Sequence, residues 1–514
     1  MSLSRQFLYG LLLFLLVISG FANEPIEPAR YLVIKNAAIV DGSGRAPFKG
    51  NVRIVGGRIQ AVGDFKLLDN DDILDAAGLT LAPGFIDTHS HMDWGIEDHT
   101  DAIAALSQGI TTAIIGQDGY STYSATELKA LFEATPLSIN LATYTGHGAL
   151  RAGVMGEHFK RYATADEISE MAAHLKEDMK AGSLGLSTGL EYDPGIYSNT
   201  QEVITLAKIA HEEGGRYISH LRSEDRAVLE AIEEIITIGR ATGMPVQISH
   251  IKLARMGLWG DADSVIKRLD EAREEGIDVT ADIYPYTYWQ STLTVLLPER
   301  DFTDLKAAEY AVTELSTPEG LTLSMFAPDG SLVGKTIAEI AELRGQSPAA
   351  TYLQLIQEAY AGVTDPTDRR ESVIGVSMSE ADIASFVQWP HTNLCSDGAM
   401  SGGHPRGYGS FPRAIRKFVR EDKLLSLEEM VHKMTALSAA HTGLANRGMI
   451  RTGYAADLVL FDPTTITDNA TIESSTELSS GIESVWVNGK LVFNRDNERN
   501  PVTNTARTGE FLSR

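Results

Sequence analysis

LAPGFIDTHSHMDWG, residues 81–95, decides how the chain is read. An apolar run ending in Phe85-Ile86-Asp87 meets Thr88-His89-Ser90-His91, so two histidines stand two residues apart at the end of a buried-type strand. In an extended strand residues i and i+2 point to the same side, and both imidazoles can converge on one point. Imidazole is the commonest protein ligand for a zinc-like ion, and a strand end opening into a loop suits a metal site with an open position. The plainer alternative is a pair of unrelated polar residues in a strand-to-loop corner. The other strand ends decide between the two.

Apolar strand candidates recur along the chain: FIDTHSH (85–91), ITTAIIGQDG (110–119), INLATYTGHG (139–148), GSLGLSTGL (182–190), GRYISHL (215–221), PVQISHI (245–251), IDVTADIYPY (277–286) and TNLCSDG (392–398). Amphipathic stretches such as ADEISEMAAHLKEDMKAG, AVLEAIEEIITIGRATG and ADSVIKRLDEAREEG separate them. Strands of this kind alternating with helices predict an α/β fold, a (β/α)8 TIM-type barrel over residues 83–446, whose chemistry sits at the C-terminal strand ends. A doubly wound open sheet is the alternative, but no G-x-G-x-x-G follows the first strand. Residues of about 291–375 break the alternation and carry the helical run KTIAEIAELRGQSPAATYLQLIQEAYAG. An insertion of that length at the catalytic face predicts a lid or pocket wall rather than a connector.

The two ends read differently. Residues 31–82 and the segments ADLVLFDP (456–463) and SVWVNGKLVF (484–493) have β-type periodicity, with a hairpin signal at Asn488-Gly489. Residues 23–82 and 447–514 are predicted to join as one small β-sandwich domain built from both chain ends. Before them, MSLSRQFLYGLLLFLLVISGFANEP presents Arg5, an apolar stretch and the small-x-small sequence Gly20-Phe21-Ala22, the pattern of a signal peptide spanning residues 1–22. The expected location is therefore the periplasm or the outside of the cell. Cys395 is the only cysteine of the chain, so no intramolecular disulfide can form. A formal net charge of −25 argues against nucleic acid or an anionic membrane as partner. It does not exclude an anionic small-molecule substrate, because a local basic pocket can sit in an acidic protein. Nothing in the sequence specifies an oligomeric state.

The strand ends carry the chemistry. His220 closes the fifth strand in Ile218-Ser219-His220, and His250 closes the sixth in Ile248-Ser249-His250. Asp397 closes the eighth in Cys395-Ser396-Asp397-Gly398, and Asp118 follows the second in Gly116-Gln117-Asp118-Gly119. With His89 and His91, these residues are enough for two metal ions, or for one with a weaker second site.

This pattern resembles the amidohydrolase superfamily. More narrowly, GHGALR (146–151), GSLGLSTGLEYDPGIYS (182–198), HLRSE (220–224), SHIK (249–252), DIYPY (282–286), SDG (396–398) and GHPRGYGSFPR (403–413) are similar to the N-acyl-D-amino-acid deacylase (D-aminoacylase) family. The resemblance implies a zinc-dependent hydrolase with one or two Zn2+ ions, or another divalent metal, that cleaves a linear amide to a carboxylate and a free D-amino acid. His220, His250 and Asp118 are expected to hold one metal, which His89 and His91 complete or accompany with a second. Asp397 is expected to act as general base and then general acid. The family commonly has cysteine where this chain has Asp118, a harder ligand. No lysine stands in Gly185-Leu186-Ser187-Thr188-Gly189, so no carbamate is expected.

Lys252, two residues past His250, is implied at the substrate carboxylate, with Tyr284 and Tyr192 beside it. Arg222, two past His220, is a further candidate for the same role. Arg406 and Tyr408 are expected to line the pocket or hold its loops, and His147 to donate to the acyl carbonyl or cap the third strand. Two other readings compete. One is a dipeptidase (for D-residue or isoaspartyl dipeptides) or a cyclic amide hydrolase on the same scaffold. The other is a non-catalytic exported binding protein.

Overall fold

A computed structural model describes residues 31–363, 369–496, 501–504 and 506–514. The expected signal peptide lies outside these residues. The eight strand candidates form strands: β1 Phe85–Asp87, β2 Ile110–Ile115, β3 Asn140–Thr143, β4 Gly185–Gly189, β5 Arg216–His220, β6 Val246–Ile248, β7 Val279–Ile283 and β8 Thr392–Leu394. Apart from Arg216, every residue in them is buried, as expected for parallel strands covered on both faces.

β1, β2 and β3 pair in parallel, as do β4 through β8 in chain order. The first arc hands over to the second through residues 143–146: Leu184 N–H donates to Thr143 O at 2.8 Å, and Thr145–Gly146 pairs with Leu186–Ser187. At the other join, just past β8 and β1, Asp397 N–H donates to His89 O (2.8 Å) and His91 N–H to Gly398 O (2.9 Å).

Helices return the chain between strands. Ala165–Ala181, between β3 and β4, begins with a capping box of Thr164 and Glu167 and ends at Gly182 in the left-handed region. Val228–Thr242 lies between β5 and β6 and buries Ala231, Ile232, Ile235 and Ile238 on one side. These faces and the strands share one large apolar core.

The two ends of the chain meet in a single sheet, in which Tyr31–Ile39, Phe48–Val55, Arg58–Gly63 and Thr80–Pro83 join Leu458–Phe461, Ile482–Val487, Lys490–Arg495 and Pro501–Thr503. The last long hairpin turns on Asn488 and Gly489, both at positive φ (49° and 76°), as a two-residue primed turn requires. Asp457 ties this sheet to β3. Its carboxylate pairs with Arg447, accepts from Asn140 Nδ2 (3.2 Å) and accepts from the Asn488 amide (2.7 Å).

The insertion is a unit with its own packing. Tyr288–Ser291 and Leu321–Phe326 flank Glu371–Val376 in an antiparallel sheet, so it begins and ends slightly outside the 291–375 read from sequence. The run read as helical is two helices, Ile337–Arg344 and Pro348–Ala359, broken at Gly345 and restarted by Ser347 and Pro348. Leu293, Leu321, Leu323, Ile337, Ile340, Tyr352, Ile356 and Val373 form its separate apolar core.

Replacing Asp457 by alanine removes a buried carboxylate that holds Arg447, Asn140 and the Asn488 amide, and leaves Arg447 with only the exposed Glu510 as carboxylate partner. The expected cost is about 1–3 kcal/mol, read as a lowered thermal midpoint, with Asp457→Asn recovering part of it.

Candidate metal centre

His89, His91, Asp118 and Asp397 offer ligand atoms that all lie within 4.8 Å of one another, and so do Asp118, His220 and His250. Asp118 belongs to both groups and divides its oxygens between them. Oδ1 is 3.3 Å from His89 Nε2 and 3.4 Å from His250 Nε2, whereas Oδ2 is 3.3 Å from His91 Nε2. Asp397 Oδ1 lies 3.2 Å from His91 Nε2 and 3.6 Å from His89 Nε2, and His220 Nδ1 is 3.2 Å from His250 Nε2. Every one of these residues is buried.

The local backbone is bent to achieve this. Asp118, His250 and Asp397 all have positive φ (55°, 33° and 50°), a strained conformation for residues with a side chain. The Asp118 turn sits so close to the end of β4 that a Cβ on Gly189 would lie 2.0 Å from Asp118 O.

The donor set fits a cation. Both ring nitrogens of His89 and Oδ1 of Asp118 are buried with no hydrogen-bond partner. Lone pairs of imidazole and carboxylate facing one another in a buried space call for a positive charge between them. Without it, protons take that role: burial opposes protonation of His91, yet Asp118 and Asp397 push its pKa up to about 9. Asp397 is driven the other way. Burial would raise it, but Arg406, with Nη1 2.7 Å from Asp397 Oδ2, and the neighbouring histidines hold it well below the usual carboxylate range.

Carboxylates and one indole that the sequence reading passed over support the histidines from behind. Glu191 Oε2 is 3.0 Å from His220 Nε2, and Glu224 Oε1 is 3.0 Å from His250 Nδ1. Asp282 accepts from the His250 amide (2.6 Å) and lies 4.0 Å from His89 Nδ1. Such partners fix the ring orientation of metal-binding histidines. The Trp94 ring stacks on His91 at 4.5 Å, and the Arg369 guanidinium of the insertion lies 4.4 Å from the Trp94 centroid. The available signals were faint: Glu224 stands four residues past His220, and Glu191 two past Gly189, both on loops where no periodicity applies.

A pocket opens on this cluster, lined by Glu191, His220, Glu224, Asp225, His250, Lys252, Ala254, Tyr284, Trp289, Gln290, Ser291, Val295, Leu296, Asp397 and Arg406. Lys252 Nζ is 2.6 Å from Glu224 Oε1 and 2.7 Å from His250 Nδ1. The buried Tyr284 hydroxyl has no partner, and the Tyr192 ring lies 4.3 Å from that of His220.

Three candidates stand elsewhere. Arg222 turns outward to Glu234 (2.8 and 2.9 Å) and donates to Ser198 O, because the strand ends at His220 and its i, i+2 alternation stops there. His147 opens the helix His147–Met155 with Nε2 2.9 Å from Glu202, which Arg151 also grips. Tyr408 donates to Met400 O at 2.7 Å and packs with Ala104 and Ala470.

The model of the Amidohydrolase family matches residues 72–319 and 326–493, most of the chain, which therefore belongs to that family. Three curated relatives from Alcaligenes xylosoxydans xylosoxydans are each 34% identical. They are an N-acyl-D-aspartate deacylase (94% of both chains covered), an N-acyl-D-glutamate deacylase (90% of this chain, 93% of the relative) and a D-aminoacylase (90% and 94%). A D-aminoacylase crystal structure superposes with a TM-score of 0.82 at 31% identity, covering 95% of this chain and 100% of its own. An N-acyl-D-glutamate deacylase from Bordetella bronchiseptica, complexed with zinc and a phosphonate mimic of the tetrahedral intermediate, does so with 0.81, 31%, 95% and 100%.

Removing metal with a strong chelator is expected to lower the thermal midpoint, and stoichiometric zinc to restore it. Free zinc at a hundredfold excess over its dissociation constant contributes about 2.7 kcal/mol to the folded state. Differential scanning calorimetry with metal analysis of the same sample checks this.

Proposed function

We propose that the chain is a metal-dependent amidohydrolase that cleaves N-acyl-D-amino acids into a carboxylate and a free D-amino acid. The observation that carries this reading is the convergence of His89, His91, Asp118, His220, His250 and Asp397 on one buried cluster, of which His220, His250 and Asp397 line a pocket that also presents Lys252. The similarity to three deacylases over at least 90% of the chain supports it.

In this reading the parallel arcs β1–β3 and β4–β8 are parts of one (β/α)8 barrel, and the sheet of the chain ends is the small β domain. The hydrogen bonds at both joins favour that closure. His220, His250 and Asp118 would hold one zinc ion, and His89, His91 and Asp397 would complete that site or offer a second place. When bound, the metal supplies Lewis acidity towards the amide carbonyl and the attacking water.

The chain's own residues do the rest. Arg406 keeps Asp397 ionised, so the carboxylate is ready to accept a proton from water and then to return it to the leaving nitrogen. Lys252, steadied by Glu224, faces the α-carboxylate of the substrate. Tyr284 offers its unpartnered hydroxyl to the same end of the pocket, and Tyr192 covers His220. The N-terminal sequence supports export with removal of residues 1–22. Among the described residues no helix is long and apolar enough to cross a membrane.

Hydrolysis of N-acetyl-D-amino acids with at most slight turnover of the L series is the expected result, with bound zinc in the same sample. Hydrolysis of D-residue or isoaspartyl dipeptides instead of the D series would replace this reading by the dipeptidase one. Asp397→Asn should lower kcat by at least about 10^2–10^4-fold while leaving folding intact, as followed by circular dichroism. Because thiolate is softer than carboxylate, Asp118→Cys should bind zinc more tightly than the native chain in chelator competition.

A further inference from the structure

Given the N-acyl-D-amino-acid hydrolysis proposed above, we infer that the side-chain subsite takes uncharged, apolar D side chains and rejects those of D-aspartate and D-glutamate. The curated relatives leave this choice open, since names for D-aspartate, for D-glutamate and for D-amino acids in general all stand at 34% identity. The composition of the pocket makes the choice.

Apart from His220 and His250 of the metal cluster, only two of its lining residues are basic, Lys252 and Arg406. Each is already paired, Lys252 Nζ with Glu224 at 2.6 Å and Arg406 with Asp397 at 2.7 Å. The α-carboxylate that every substrate carries needs one or both of them. A second carboxylate would find no cation among the remaining lining residues, and would meet Asp225 and Glu191 there.

Apart from Ala254 and Tyr284, what remains of the wall comes from the insertion. Trp289, Val295 and Leu296 present apolar surface, each no more than 8% exposed, and Gln290 and Ser291 add neutral polar groups. The guanidinium nearest in sequence, Arg300, is committed to Asp193 (3.0 Å) and to the carbonyls of Thr294, Leu297 and Glu191. A buried carboxylate without a partner is costly, whereas a leucine or methionine side chain gains by leaving water.

The test is kcat/KM of the zinc-loaded enzyme for N-acetyl-D-leucine, -methionine and -phenylalanine against N-acetyl-D-aspartate and -glutamate. At least about a hundredfold preference for the neutral series is expected. A preference for the acidic series would overturn the subsite assignment while leaving the hydrolytic reading standing. Binding of N-acetyl-D-leucine and N-acetyl-D-glutamate to the Asp397→Asn variant, by calorimetry, ranks the same ligands without turnover. If neither series is hydrolysed, tighter binding of the neutral ligand still supports the assignment, and tighter binding of the acidic one, or of neither, overturns it. Ser291→Arg, which adds a guanidinium to the wall, should raise the acidic-to-neutral ratio at least about tenfold. An unchanged ratio in the folded variant would mean that the wall does not read the side chain.

Discussion

One backbone hydrogen bond fixes the geometry on which the site depends. Asp397 N–H donates to His89 O at 2.8 Å, joining residues 308 positions apart just past the ends of β8 and β1. The bond places the carboxylate of one loop against the imidazoles of the other before any ligand is present. A neighbouring tie tightens it: Asp87, buried in β1, accepts from the Ser396 amide (2.8 Å) and from its hydroxyl. The cluster is thus preorganised by main-chain pairing rather than by the side chains themselves. Left-handed backbone at Asp118, His250 and Asp397 is the local cost of aiming all three inward.

That arrangement concentrates charge in a place where charge is expensive. Asp118, Glu191, Glu224, Asp282 and Asp397 are all buried around the four histidines, with Lys252 and Arg406 as the lysine and arginine that line the pocket. The desolvation cost of burying such groups can exceed what their mutual interaction returns. The stability that supports them comes from elsewhere: the continuous apolar packing of strands and helices, the separate core of the insertion, and the sheet formed by the chain ends. Rigid packing at a distance allows a strained, charged centre.

Much of this was legible because periodicity and chemistry agreed. The two I-S-H motifs fall at the ends of paired parallel strands, since a buried parallel strand is a short apolar run: His220 closes Arg216–His220, and His250 stands two residues past Val246–Ile248. Legibility stopped where the strand stopped. Arg222 and Lys252 both stand two past a strand-end histidine, yet Lys252 turns into the pocket and Arg222 turns out to Glu234, because loop geometry decides their directions. Glu191 and Glu224 went unseen for the same reason, since an acid in a loop near a histidine reads as solvated surface. The insertion was legible as a break in the alternation. Its two antiparallel pairings, between segments up to 88 residues apart, carry no signal in local periodicity.

The insertion's own packing has a consequence for how such a pocket can change. Trp289, Leu293, Val295 and Leu296 belong to its separate apolar core, and three of them also face the pocket. The histidines and aspartates of the cluster stand instead at or just past strand ends packed into the larger core. Substitutions along 289–296 can therefore alter the chemistry of the wall while His89, His220 and His250 keep their own packing, with Tyr192, which packs on the insertion core and lies 4.3 Å from the His220 ring, as a shared neighbour. Additivity between them is the physical expectation for groups that do not touch. Relatives one-third identical to this chain carry names for different acyl-amino acids, which is the pattern expected when the floor of a pocket is fixed by the fold and its wall is free to vary.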